Sequence, residues 1–234
     1  MKTISVTSVL GVQPEKIDTD FNCHNNKLTS LEGAPVEVGG NFICSINELT
    51  SLEGGPQKVG GNFYCHSNNL TSLEGCPQEV GEHFSCSNNQ LTSLEGSPKE
   101  VNGDFNCSSN KLTSLEGGPV KVDGHCIYAG NSLESLTGVA ETVGEQISLR
   151  NNELKNLKDI HRKIKFIGGN YANFSNNPIE SHVVGLLLIK GLTKVWLDNT
   201  GVETIINKHL KANKDVLACI EELEEAGFPE FAKI

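Results

Sequence analysis

Five cysteines, Cys23, Cys44, Cys65, Cys86 and Cys107, recur every 21 residues in a chain of 234, and they are the first residues whose spacing could do chemistry. Thiols can form disulfides, ligate zinc or act as nucleophiles. No C-x-x-C is present and a linear row of thiols offers no tetrahedral set, so zinc is not expected. Parallel side chains pointing the same way seldom reach the torsion that a disulfide needs. The expectation is a column of reduced thiols serving as small apolar side chains. Histidines such as His66 and His83 could ligate a metal or act as a base, yet no adjacent Ser, Cys or paired carboxylate completes a catalytic arrangement. No catalytic residue, metal or cofactor is expected. A third group, Glu32, Glu53, Glu74, Glu95 and Glu116, is a row of like charges that must face water. It reads as a solvated edge, or as an acidic stripe for a basic partner. Mimicry of nucleic-acid phosphates is the weaker alternative, because one charge per ~4.8 Å is sparser than the ~3.4 Å spacing along a DNA strand.

The elements that position these residues follow from the same period. Phe21, Phe42, Phe63, Phe84 and Phe105 stand two residues before the cysteines, and Leu28, Leu49, Leu70, Leu91 and Leu112 stand five after. A fixed period of this length marks a solenoid, whose units bury their apolar faces by stacking on one another. Phe and Cys two apart have the alternation of a strand with one buried face. Asn26, Asn47, Asn68, Asn89, Asn110, Asn131, Asn152 and Asn177 each stand two before a Leu or Ile. Their amides carry donors and an acceptor, so an internal asparagine ladder tying successive coils is expected. The remainder of each unit, such as Leu31-Glu32-Gly33-Ala34-Pro35, is too rich in Gly and Pro to be helical. The outer path is therefore extended or turn-like, closed by Val38, Val59, Val80, Val101 and Val122.

The period degrades towards both ends. Cys126/Tyr128 and Ile147/Leu149 replace Phe/Cys, and Ala172-x-Phe174-x-x-Asn177 follows an insertion near Lys163 to Gly169. Leu10, Pro14 and Ile17 match Leu31, Pro35 and Val38 one period earlier, so residues 1–20 are expected to form an N-terminal half-coil. Residues 21–180 hold eight repeats. Beyond Ser181 the period is lost: Val183 to Ile189 is apolar, Lys194 to Asp198 reads as a short strand, and Val216, Leu217, Ile220 and Leu223 have helical spacing. Residues 181–234 are read as a mainly helical cap over an otherwise open sheet end.

In this register F-x-C-x-x-N-x-L-x-x-L resembles the leucine-rich-repeat core L-x-L-x-x-N-x-L, with Phe and Cys in two leucine positions. Ser67-Asn68-Asn69-Leu70-Thr71-Ser72-Leu73 looks like the short bacterial subclass found in secreted effectors, but Glu74-Gly75-Cys76-Pro77 departs from its proline-leucine run. The Leu-Thr-Ser-Leu-Glu-Gly-x-Pro form is more similar to leucine-rich-repeat proteins encoded by tailed bacteriophages. The resemblance implies a leucine-rich-repeat solenoid with a parallel β-sheet on one face and a non-helical outer face. It carries almost nothing about activity, and Cys219 within an expected helix gives no reason to transfer an effector's ligase chemistry.

Function is expected on the exposed sheet face, whose side chains escape the packing constraint. Its central row is Asn22, Ile43, Tyr64, Ser85, Asn106, Ile127 and Ser148, flanked by His24, Ser45, His66, Ser87, Ser108, Ala129 and Arg150 on one side. Asn41, Asn62, His83, Asp104, His125 and Gln146 form the other flank. Ile43, Tyr64, His66 and His83 are expected to cluster, with Asn62, Ser85, Asn106 and Ile127 around them, as a protein-binding hot spot. A net charge of -10 argues against nucleic-acid binding, and no apolar stretch reaches transmembrane length. Met1 to Val6 lead into no signal-peptide apolar region, so a cytoplasmic location is expected, in the host if the chain is phage-encoded. The leading expectation is a non-enzymatic scaffold for a host or viral protein, with inhibition of a host factor or defence system as the consequence its resemblance suggests. The alternatives are a structural module of a virus particle and an enzyme with its chemistry in 181–234. Nothing in the residues fixes an oligomeric state.

Overall fold

The computed structural model describes residues 3–234, so Met1 and Lys2 of the expected half-coil lie outside the described residues. The chain winds as a parallel β-solenoid. A nine-stranded parallel sheet takes one two- or three-residue strand from each coil, in order from Phe21–Asn22 to Lys194–Trp196. Every pairing within the 21-residue period is in register: Phe21 is opposite Phe42, Phe42 opposite Phe63, Phe63 opposite Phe84 and Phe84 opposite Phe105. The rings stack as a column with centroids 5.4, 5.7, 5.4 and 5.6 Å apart. Beside it the cysteines and leucines of each coil are fully buried.

The sixth coil keeps this column with its residues exchanged. Cys126 takes the register of Phe105, and Tyr128, at the cysteine position, brings its ring to 6.1 Å from that of Phe105. One large and one small side chain trade places, which conserves the volume of the layer. The buried Tyr128 hydroxyl accepts the Ala140 N–H at 3.3 Å, so its polar end is satisfied.

The asparagine ladder is present. Asn89 shows the unit: its Oδ1 accepts the Leu70 N–H of the preceding coil at 3.0 Å. Its Nδ2 donates to Cys65 O of that coil at 3.1 Å and to Cys86 O of its own at 3.0 Å. Asn47, Asn68, Asn110, Asn131, Asn152 and Asn177 repeat the arrangement. The rest of the consensus has local causes as well. In three of the five Thr-Ser-Leu-Glu units, the serine hydroxyl accepts the glutamate N–H two residues on: Ser30 for Glu32, Ser51 for Glu53 and Ser93 for Glu95, at 3.0–3.1 Å. The glycine after it has positive φ: at Gly75, φ is +82° and an added Cβ would lie 2.7 Å from Glu53 N.

The outer path contains more β-structure than its composition suggests. Val38, Val59 and Val80 each end a two-residue strand in one four-stranded sheet with Lys16–Ile17, and Val101, Val122 and Val143 do so in a second that ends on Phe166–Ile167. The break between the two sheets coincides with a change in the outward residues. Along the first, Lys16, Glu37, Lys58 and Glu79 alternate in sign and stand opposite one another, with Lys16–Glu37 at 3.1 Å and Lys58–Glu79 at 2.5 Å. The next residue in register is Glu100, which begins the second sheet and stands opposite Lys121. Pairing is interrupted where two like charges would meet, an arrangement that destabilises cross-strand neighbours. Asn102 also stands at the break, in the register of Gly39, Gly60 and Gly81, where an added Cβ would lie 2.7, 2.2 and 1.8 Å from a carbonyl oxygen of the preceding coil. Asp123 occupies the same register one coil on, and its N–H still reaches Val101 O at 2.9 Å.

Three expectations are corrected at the ends. Leu10 is not the counterpart of Leu31: it is 39% exposed at the end of the helix α1, Val6–Leu10, whereas Val6 is fully buried. The Ile17 match holds, since Ile17 is opposite Val38. The coils continue past residue 180, because Lys194–Trp196 pairs with Tyr171–Asn173 as the ninth strand. The insertion read near Lys163 to Gly169 begins earlier in the chain, as a short helix α2, Ile160–Lys163. Within 181–234, Val184–Leu188 is a 3-10 turn, followed after the ninth strand by helices α3, Thr200–Lys211, and α4, Val216–Glu225. On α4 the buried side chains are Cys219 and Leu223, while Leu217 is 72% exposed. Outer-edge groups of the ninth strand are met by α3: Asn207 Oδ1 accepts the Val195 N–H at 2.7 Å and Glu203 Oε2 accepts the Leu197 N–H at 2.8 Å.

Candidate functional site

Each strand turns one residue outward between two buried ones, and in-register stacking lines these residues up across the sheet. Tyr64 is opposite Ser85, Ser85 opposite Asn106, and Asn106 opposite Ile127. Serine is the smallest member of this group. Its shortness between Tyr64 and Asn106, continued by Ser87 beside His66, leaves an open cavity of about 430 Å³. The Tyr64 and His66 rings form one wall, edge to face with centroids 6.3 Å apart. Asn106 and Ile127 form the opposite wall, and the Ser85 and Ser87 hydroxyls lie 3.3 Å apart. His83 and Asp104 also line the cavity.

Six of the eight residues expected at a hot spot are thus brought together: Tyr64, His66, His83, Ser85, Asn106 and Ile127. Ile43 is half-buried on the same face but one strand beyond Tyr64, outside the lining. Asn62 is also outside it, because its amide is used within the fold. Ser45, Ser87 and Ala129 are not free flank residues, being 2%, 8% and 5% exposed.

The flank containing Asn62 is a second ladder that sequence reasoning missed. Asp20 Oδ1 accepts the Asn41 N–H at 2.8 Å, Asn41 Oδ1 the Asn62 N–H at 2.8 Å, and Asn62 Oδ1 the His83 N–H at 2.9 Å. His83 Nδ1 then accepts the Asp104 N–H at 2.8 Å, and Asp104 Oδ1 the His125 N–H at 2.7 Å. Asp, Asn and His differ in charge and size, yet each offers an acceptor at the δ position. That shared atom was the available signal. The ladder fixes the His83 tautomer, with its lone pair on Nδ1 and its proton on Nε2.

The electrostatics of the cavity follow from burial and its acidic rim. Burial is the main cause that pushes the Tyr64 hydroxyl above its ordinary pKa, with Glu82 and then Asp104 adding to it. Burial, then His24, lowers the His66 imidazole below its ordinary pKa.

A second cavity of about 230 Å³ opens further along the same face over Ser148, lined among others by Ile127, His125, Gln146, Arg150 and Tyr171. Glu32, Glu53, Glu74, Glu95 and Glu116 are all exposed, and none pairs with a cation among the described residues. The eight cysteines are free thiols, all buried. Burial pushes Cys23, Cys76 and Cys126 up to about 12 and Cys219 to about 11, the reverse of an activated nucleophile. Among the described residues no three metal-ligating side chains converge, and no helix is long and apolar enough to cross a membrane.

The fold and this surface define a parallel β-solenoid with turns of about 21 residues and an indented sheet face. No protein-family model matches the chain, and no curated protein matches it.

Proposed function

We propose that the chain is a non-enzymatic scaffold that binds another protein through the exposed face of its nine-stranded sheet. The observation that carries this reading is the cavity over Ser85, where the Tyr64 ring and Ile127 stand among short polar side chains on an otherwise regular surface. Aromatic and aliphatic groups in a partly enclosed, polar-rimmed depression are what a partner's anchoring side chain needs. Polar backbone groups around the cavity are already engaged by the two ladders, so the surface is rigid before any partner arrives. Such preorganisation lowers the entropic cost of association.

The finer reading is of a leucine-rich-repeat protein of the short bacterial and tailed-bacteriophage type, supported by the F-x-C-x-x-N-x-L core and the Leu-Thr-Ser-Leu-Glu-Gly-x-Pro unit. On it, 181–234 serves as a cap, consistent with the Asn207 and Glu203 bonds to the ninth strand. A host or viral protein inside a bacterial cell is the partner this suggests. The test is paired capture from bacterial lysate with wild type and Tyr64→Asp as baits, read by quantitative mass spectrometry. A partner retained by the first and lost by the second is expected; identical recoveries would remove the sheet-face reading.

A further inference from the structure

The two cavities on the sheet face differ in charge. At the first, Asp104 Oδ1 is occupied by the His125 N–H at 2.7 Å, which leaves Oδ2 for a ligand. Its neighbour His83 Nδ1, 3.4 Å away, is already accepting the Asp104 N–H and so has no proton to offer. A cation entering between the Tyr64 ring and Asp104 would meet an aromatic wall and an unpaired carboxylate oxygen. At the second cavity the charge is Arg150, which is exposed and pairs with no carboxylate among the described residues. Ile127 is a wall common to both cavities.

Their separation is fixed by the sheet. Ser85, Asn106, Ile127 and Ser148 are successive partners in register, so the two floors lie three strand spacings apart, ~14 Å. A chain running across the strands in extended conformation advances ~3.3 Å per residue and turns alternate side chains to one face. Its residues i, i+2 and i+4 then reach ~0, 7 and 13 Å. The geometry points to recognition of an extended segment of a partner protein in which a basic and an acidic residue stand four apart with an apolar residue midway. Because Asp104 and Arg150 stand on opposite flanks of the central row, the segment crosses the strands obliquely: the basic side chain enters the Ser85 cavity towards Asp104, the apolar one packs on Ile127, and the acidic one meets Arg150. This inference rests on the sheet-face reading and names the chemistry of the partner.

The test is selection of a random-peptide display library on the whole chain, followed by fluorescence anisotropy with the enriched peptides. The expected pattern is basic-x-apolar-x-acidic, in either chain direction. Asp104→Asn keeps a δ oxygen for the His125 N–H but removes the charge, and is expected to weaken binding at least tenfold. Arg150→Glu is expected to do the same, and a peptide whose acidic residue is replaced by lysine should regain affinity for that variant. Enriched peptides that depend on Tyr64 but lack the four-residue charge spacing, or that show no such rescue, would overturn this inference and leave sheet-face binding standing. Failure of any peptide to enrich overturns it too. Peptides that bind equally to Tyr64→Asp would remove both readings.

Discussion

Replacing Asn89 by alanine tests whether the ladder holds the coils together or merely occupies space. Four contacts are lost: the Leu70 N–H donated to Oδ1, and those from Nδ2 to Cys65 O, Cys86 O and Ser87 O. The three carbonyls each keep another donor. Asn68 Nδ2 still reaches Cys65 O at 3.1 Å, Asn110 Nδ2 still reaches Cys86 O at 3.1 Å, and the Ser67 N–H still reaches Ser87 O at 2.9 Å. Leu70 N–H alone is left buried without an acceptor. One orphaned buried donor costs about 1–3 kcal/mol, and the weakened carbonyl bonds together add about 1 kcal/mol. A loss of about 2–4 kcal/mol is therefore expected.

The control is Asn69→Ala. That residue is exposed, makes one long contact at 3.4 Å with Gln90, and should change stability by no more than about 0.5 kcal/mol. Urea unfolding followed by circular dichroism gives the two losses, and amide hydrogen exchange reads Leu70 directly. Protection at Leu70 should fall in Asn89→Ala more than at amides two coils away, because neighbouring coils couple chiefly through their shared interfaces. Equal losses in the two variants, or an unchanged Leu70 exchange rate, would refute the ladder's energetic role.

Ile46 holds φ +54° with a β-branched side chain, at the register where Asn25, Asn88, Asn151 and Asn176 adopt the same left-handed conformation. Ile46→Asn should raise stability by about 1 kcal/mol, since the side chain is exposed and little packing is lost; a fall in the urea midpoint would contradict this. The buried thiols set an alkaline limit. Cys23, Cys76 and Cys126 ionise near 12 in the folded chain against about 9 when unfolded, so above pH 9 the folded state binds more protons than the unfolded one. Their contribution is intact below pH 9 and is lost between pH 9 and about 12, and urea midpoints measured across that interval should fall more steeply in wild type than in Cys23→Ala. Parallel slopes would count against a thiol origin.

The repeat, its column of Phe and Cys and the asparagine ladder were legible because a period of 21 shows each position several times. What escaped were features that occur once or depend on pairs. Lys194–Trp196 was legible as a short strand but not as the ninth of the sheet, because it carries neither Phe-x-Cys nor the ladder asparagine; its outer edge is served instead by Asn207, twelve residues after Val195. The interruption between the outer sheets falls where Glu79 would meet Glu100 and where Asn102 takes the place of Gly39, Gly60 and Gly81, a coincidence visible only once the coils are stacked. On α4, period alone admitted Leu217 to the apolar face; only packing against the rest of the chain selects Cys219 instead.

The candidate site was legible as a surface but not as a shape. Listing outward residues treated Ser85 as one polar side chain among others, although its smallness between Tyr64 and Asn106 makes the cavity. Along the flank the reverse holds: residues of varied type resemble a surface free to serve function. Asp20, Asn41, Asn62, His83 and Asp104 vary in everything except the δ acceptor that the next coil's N–H requires. A histidine in such a series answers a backbone demand, and its presence in the cavity is no argument for acid–base chemistry. What the ladder leaves over is the informative part: one oxygen of Asp104, the ring of Tyr64 and the side chain of Ile127. None of these is needed to hold a coil to its neighbour, and together they have the chemistry to hold a cationic or apolar side chain from another molecule.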